Sequence, residues 1–545
     1  MYIVGHIGKN RHRKVFLMQS FKNKLSSGKN SPEKLTRKML YKDYRYMLKD
    51  PQSEHRAAAV LAHLGVMVFK LLIWACVIAS IPAAFYYIIT SPANETLLQI
   101  NGLLGDLLLV PSVVISAGTL FFFLLQAIHA VLYKETPALK DEFLPALTVI
   151  VPAYNEGKYV ETTLESILES DYPAEKLEII AVNDGSMDDT WSWIEHAVAR
   201  FPGRIKGIDI TQNGGKKHAL CAGIEVAEGE VIVTVDSDSR VAKDALRKIA
   251  SPFVVDPAVG AIAGNIRVNN LKEGSIPKML DVAFAFGFEF MRTAQSMVHS
   301  VLCTPGALSA YRLAALRPLL EEWKKQTFMG KPASIGEDRA ITSLLIKNNW
   351  HVDFQIDAIA FTKMPVTYKG LCKMLIRWCR SDVRENLGMI LYAFHPARWK
   401  KPSWDLLMLE INLLFSTVSM ILPLFFLPML FFAFVTAPIL TAIYTLSGSI
   451  LWSMMPAVIY AVRYSARESV WAFVYGLYAI PFISWISVYS VFTVGNSDWM
   501  TRALPRKKSG KKVLVLPFRL SPWQRFIFRV RLLFSAIAAL LLLWK

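Results

Sequence analysis

Apolar runs long enough to cross a bilayer stand on both sides of a region that reads as a water-exposed α/β domain. Residues 71–90 and 107–132 precede that region, and residues 413–435 and 439–460 follow it. A helix spans the hydrocarbon core with about 20 mostly apolar residues. Backbone that meets lipid must satisfy its own polar groups, so these runs are constrained to be helices. Composition agrees: 53% of the 545 residues are apolar, and the mean hydropathy of +0.33 exceeds what a soluble chain of this size carries.

The charge follows the same plan. The formal net charge is +18, but Lys and Arg cluster beside apolar segments, as across residues 502–531, where positive-inside bias places them. Anionic lipid headgroups explain this charge, and no nucleic-acid partner is expected. Residues 91–106 lack Lys and Arg whereas the N-terminal arm is rich in both, so the arm and the region after Tyr133 are expected in the cytosol. The first 50 residues are basic and polar, with no apolar run before Ala57, so no secretory leader is expected. Five scattered cysteines without CxxC spacing indicate neither a disulfide framework nor a structural zinc site.

These signals divide the chain into a basic arm (1–56), two transmembrane helices (57–133), a catalytic-type α/β domain (134–404) and a second membrane region (405–495). A basic cytosolic linker (496–523) and a final span (524–545) complete it. Within the second membrane region, residues 470–494 have basic residues on both sides: Arg463 and Arg467 before, Arg502, Arg506, Lys507 and Lys508 after. That argues against a single crossing. Pro481 at the middle predicts a re-entrant or interfacial pair of short helices.

In the α/β domain, the strand-like runs Leu147-Thr-Val-Ile-Val, Leu177-Glu-Ile-Ile-Ala-Val and Val231-Ile-Val-Thr-Val alternate with helical stretches. A mostly parallel sheet with its site at the carboxyl strand ends is expected. Each run leads into a polar cluster: Tyr154-Asn-Glu, Asn183-Asp-Gly-Ser and Asp236-Ser-Asp. Two carboxylates one residue apart, Asp236 and Asp238, can jointly hold Mg²⁺ or Mn²⁺ against a diphosphate. Alone, that spacing more often marks a solvated turn or a helix cap. Asp184 and the cationic Lys216-Lys217-His218 turn the balance toward a nucleotide-diphosphate site, because a diphosphate needs cations.

At these residues the chain resembles family 2 glycosyltransferases of GT-A (Rossmann-like) fold, and specifically the processive membrane synthases of hyaluronan, chitin and cellulose. The resemblance runs from Tyr133 to Arg502. It implies that Tyr154, Asn155, Glu156, Asp184, Lys216 and Asp236 bind the donor, with Asp236 and Asp238 on the metal. Gln295-Ser and Cys303-Thr-Pro-Gly306 resemble the acceptor-side segment of hyaluronan and chitin synthases. Gly336-Glu337-Asp338 resembles the TED or GDD motif, which makes Asp338, with Glu337 beside it, the catalytic pair and Asp338 the general base. Arg377-Trp378 resembles the end of the QxxRW signature, with Trp378 under the acceptor sugar and Arg377 toward the diphosphate; Arg380 continues the same helical face at a spacing of three, which suits a further diphosphate contact or a lipid contact. Met374 departs from the signature, which has glutamine there. Asp498-Trp499-Met-Thr501-Arg502 resembles the gating loop that closes over the nucleotide.

The resemblance therefore implies a multi-pass inner-membrane enzyme that polymerises UDP-sugars at its cytosolic domain and exports the polysaccharide between its helices. A hyaluronan-like or N-acetylglucosamine-containing product is favoured. A non-processive lipid-linked sugar transferase and a synthase of alginate-like or cellulose-like polymer remain open alternatives. Export or regulatory subunits are admitted as further partners.

Overall fold

The computed structural model describes residues 103–395 and 403–496. The N-terminal arm, the run at 71–90, the gating-type residues Trp499, Thr501 and Arg502, and the final span lie outside the described residues.

A mixed eight-stranded sheet forms the domain, in the order β3-β2-β1-β4-β7-β6-β8-β5. The strands are β1 (Leu147–Ala153), β2 (Leu177–Asp184), β3 (Ile205–Ile210), β4 (Val231–Thr234), β5 (Ser239–Val241), β6 (Val259–Val268), β7 (Ser309–Arg312) and β8 (His351–Thr362). β1, β2, β3 and β4 are parallel, and β6 and β8 are parallel. β7 and β5 run antiparallel to their neighbours, a departure from the mostly parallel expectation. Both strands are only three or four residues long and insert where the chain doubles back around the site, so neither carries the long apolar run that identifies a parallel strand.

Side chains alternate between two cores, as strand geometry requires. Val149 and Val151 of β1, Ile179 of β2 and Val233 of β4 enter one core, capped by α2 (Tyr159–Leu168), α3 (Thr190–Arg200) and α5 (Ala245–Val255). Ile150, Ile180 and Ile232 enter the other, with α4 (Lys216–Glu225) and α8 (Glu337–Lys347). A sheet buried on both faces explains why β1 shows no exposed position. This is the GT-A, Rossmann-like α/β arrangement.

The helical region wraps the carboxyl edge. α1 (Leu103–Leu132) precedes the sheet; α6 (Ser275–Phe284), a π-helix over Ala285–Phe290 and α7 (Met291–Ser296) interrupt it; α9 (Tyr368–Ala393) follows it. α10 (Trp404–Thr436) and α11 (Pro438–Arg463) are long and apolar enough to cross a membrane. Their lipid-type surface is open, with Phe431 70% and Ile439 78% exposed. α1 packs on α10 through stacked Phe122 and Phe415 and a hydrogen bond from Gln126 to Asn412 at 3.0 Å. The helical groups before and after the domain thus touch each other.

The segment around Pro481 is two short helices, α12 (Trp471–Phe482) and α13 (Trp485–Phe492), bent by 48° at the break. Proline removes a helical donor, and the N–H groups of Ile483 and Ser484 both converge on the Ala479 carbonyl at 2.9 Å. No disulfide joins the cysteines among the described residues.

Candidate active site

The carboxyl ends of β1, β2 and β4 open into one cavity of about 1070 Å³, bounded on its far side by α6, α8 and α9. That is just above the usual range of small-molecule sites.

The end of the cavity at β1, β2 and β4 is built on turns. Asp184, buried at the end of β2, accepts from the Gly214 and Gly215 N–H groups at 3.0 and 2.8 Å and from Asn213 Nδ2 at 3.0 Å. Burial raises its pKa, and the two backbone donors oppose that rise. Its geometry is that of a clamp on the turn, in addition to lining the cavity. Gly215 takes φ +88°, a conformation that favours glycine, and α4 begins at the next residue, Lys216. Asn155 plays a comparable part. Its N–H donates to Ser186 and its side chain accepts from the Met187 N–H, so it ties the β1 turn to the β2 turn and is not among the cavity-lining residues. Tyr154 and Glu156 do line it, and Glu156 accepts from Ser237 Oγ at 3.0 Å, joining the first cluster to the third.

Lys216 is the centre of charge. Its Nζ lies 2.5 Å from Asp236 and 3.1 Å from Glu337. Burial pulls the ammonium pKa down, but Asp236, Glu337 and Asp338 together hold it above its ordinary value. Lys217 points elsewhere, donating to the Trp323 and Ala333 carbonyls at 3.0 Å. Gly306 sits directly against the Lys216 ammonium, where a Cβ would collide with it. The turn is held by Thr304, which bonds to Thr342 on α8 at 2.7 Å.

Asp338 lies in the first turn of α8, behind Gly336. Gly336 adopts φ +71°, and a Cβ there would overlap the Ser381 hydroxyl of α9. Arg384 fixes the same loop by donating to the Ile335 carbonyl. The N-cap position belongs to Gly336, which has no side chain to offer, and Asp338 Oδ1 accepts the Arg339 N–H, one of the open donors of the first turn, at 2.8 Å. Burial, then the neighbouring Glu337, push its pKa up to about 6, against the lowering effect of Lys216. Cys303 approaches its other oxygen at 3.9 Å, and burial drives that thiol up to about 12, so it is neutral.

The α6 and α9 side of the cavity is aromatic. Trp378 of α9 lies 6.0 Å from Phe284, which stacks on Phe288 at 4.5 Å, and all three line the cavity. Arg377 and Gln295 also face it, Gln295 while accepting from the Leu302 N–H at 3.3 Å. Arg380 does not line it: buried on another side of α9, it donates from Nε to Thr493 at 3.0 Å. Met374 is 5% exposed and packs with Leu371, Phe284 and Met364, so an apolar wall stands where a glutamine would present polar atoms.

Sequence reasoning passed over Phe284, Phe288 and the buried Arg292, whose guanidinium lies 4.0 Å over Phe288. The signal was present in Phe284-Ala-Phe-Gly-Phe-Glu-Phe290, but its period of two reads as a strand. In the helical conformation the four rings separate: 284 and 288 face the cavity, while 286 and 290 pack toward α1 and α11.

Asp236 and Asp238 line the cavity together and offer only oxygen ligands. Mg²⁺ or Mn²⁺ is commonly held by one or two carboxylates with substrate phosphates completing the shell, so this pair fits such an ion. Among the described residues no group of three or more His, Cys, Asp or Glu forms a self-sufficient metal cage.

The chain is similar to several known proteins. Residues 148–320 match Glycosyl transferase family 2. An N-acetylglucosaminyltransferase of Rhizobium meliloti (strain 1021) is 36% identical over 245 residues, 45% of this chain and 57% of that protein. One of Rhizobium leguminosarum bv. viciae is 28% identical over 393 residues, covering 69% of this chain and 87% of that protein. The chain spans 50–59% of the length of the curated relatives it first matches. A mannosyltransferase from Pyrobaculum calidifontis, solved with GDP-Man and Mn2+, aligns over 68% of this chain and 99% of its own at 22% identity and TM-score 0.47. The matched stretch, residues 148–320, takes in the turns after β1, β2 and β4 and the Gly306 turn of the cavity, and it ends before Asp338 and Trp378.

Proposed function

We propose that the chain is an inverting glycosyltransferase of the inner membrane, with its catalytic domain in the cytosol. It takes N-acetylglucosamine from a UDP-sugar, adds it to the end of a β-linked polysaccharide, and passes the polymer outward between its helices. The observation that carries this reading is the single cavity in which the Lys216–Asp236–Glu337 cluster, Asp338 and the Trp378–Phe284–Phe288 strip face one another. The names of the relatives support the sugar.

In this mechanism Lys216 and Arg377 bind the diphosphate, and Asp236 and Asp238 would hold Mg²⁺ or Mn²⁺. When bound, such an ion neutralises charge on the departing UDP. The acceptor ring lies on Trp378, since an aromatic face suits pyranose C–H edges. Asp338 takes the proton from the acceptor hydroxyl as that oxygen attacks C1 from the side opposite UDP, which inverts the anomeric centre. The aromatic strip gives the preceding sugars a surface to slide along. Trp499, Thr501 and Arg502 are proposed to close over the nucleotide and exclude water.

The purified protein, supplied with single or paired UDP-sugars and Mg²⁺ or Mn²⁺, tests this. UDP release from UDP-N-acetylglucosamine is the expected result, and a requirement for a second UDP-sugar would identify an alternating copolymer. UDP release with another UDP-sugar alone would overturn the sugar assignment.

A further inference from the structure

The acceptor wall is a single layer, and its reverse face is charged. On β6, Ile266 faces the cavity, while Asn265 and Arg267 on either side point away from it, as strand alternation requires. On α6 and the π-helix, Phe284, Gly287 and Phe288 face the cavity, while Asp281 and Glu289, each 1% exposed, face the other way. These two buried carboxylates meet the end of α11. Tyr460 donates to Asp281 Oδ2 at 2.7 Å, and Arg463 Nε lies 2.9 Å from Glu289 Oε2. Tyr464 donates to the other oxygen of Glu289, which also accepts from Asn265 Nδ2 at 3.1 Å. Arg267 completes the network. It binds Asp281 through Nε at 3.0 Å and Nη2 at 2.5 Å, and its guanidinium lies 3.4 Å over the Tyr464 ring.

Two acids and two arginines balance in charge, and the network spans three parts of the chain. Its location matters more than its strength, because replacing a buried ion pair with apolar residues is often neutral for stability. It sits behind a π-helix, a geometry that is rare and frequent at functional sites. The same six-residue turn presents Phe288 to the cavity and Glu289 to a helix long enough to cross the membrane.

We infer that Glu289 is a positioning residue that fixes the aromatic acceptor wall to α11, so that a sugar chain leaving the cavity meets the helices in one register. The inference rests on the polymerising function proposed above. Glu289 touches neither donor nor reacting hydroxyl, so its loss should leave each transfer intact and disturb the hand-over of the chain.

The test uses the full chain in lipid nanodiscs with UDP-N-acetylglucosamine, any second UDP-sugar it requires, and Mg²⁺, reading UDP release and product length together. Glu289→Gln should release UDP at close to the wild-type initial rate while its product is about fivefold shorter, within the range by which coupling mutations act. Arg463→Gln and Tyr464→Phe, at the edge of the network, should shorten the product in the same direction, and they carry the test if Glu289→Gln does not fold. Wild-type length in folded variants would overturn the inference, as would a fall in rate and length in equal proportion. If the wild-type protein adds only one sugar, the polymer reading itself fails and the inference falls with it.

Discussion

Asp338→Asn is expected to bind UDP as the wild-type protein does and to lose transfer by about 10²–10⁴-fold, the span that general base catalysis supplies. The substitution keeps the size of the side chain and its place in the first turn of α8, and an amide oxygen can still accept the Arg339 N–H. It removes only the capacity to take a proton. The wild-type pH profile carries the same signature. A base works ionised, so with a pKa raised to about 6 the rate is level above that value and falls tenfold per unit below it. Equal turnover of UDP-sugar by mutant and wild type, or a flat profile through pH 6, would reject the assignment.

Lys216→Gln is expected to act on both halves of the reaction. The ammonium lies between Asp236 and Glu337 and is a principal influence lowering the Asp338 pKa. Without it, three acidic groups face one another with less cationic compensation, and Asp338 becomes harder to ionise. The acid limb of any remaining activity should therefore move above pH 6. Loss of a cation that meets the leaving diphosphate should also lower kcat by about 10²–10³-fold, the effect of removing one preorganised electrostatic contact. Unchanged kcat with an unchanged acid limb would show that Lys216 serves only the packing of the Gly306 turn. Lys217→Gln is the control, because that ammonium is spent on the Trp323 and Ala333 carbonyls.

The α/β fold was legible because its central strands are buried on both faces and read as unbroken apolar runs, each ending in a polar cluster. Those clusters come together at the carboxyl ends of β1, β2 and β4, as such a sheet requires. Spacing alone did not separate residues that face the cavity from those that build it. Asn155 and Arg380 carry the right chemistry, yet they tie turn to turn and helix to helix. The four phenylalanines at 284, 286, 288 and 290 concealed, behind a strand-like alternation, that two of them wall the cavity. The ion network behind that wall was beyond reach, since Asp281 and Tyr460 are 179 residues apart and nothing local marks either as a partner.

A pulse-chase of the full chain tests most directly whether one cavity both transfers the sugar and keeps hold of the growing chain. Brief labelling with radioactive UDP-N-acetylglucosamine, with any required second donor, is followed by a large excess of the unlabelled sugar, and the labelled product is sized over time. Label that moves steadily into long polymer during the chase is the expected result, because a retained chain keeps growing on Trp378. Label that stays at the size of a single added sugar, or in a lipid-linked monosaccharide, would contradict it.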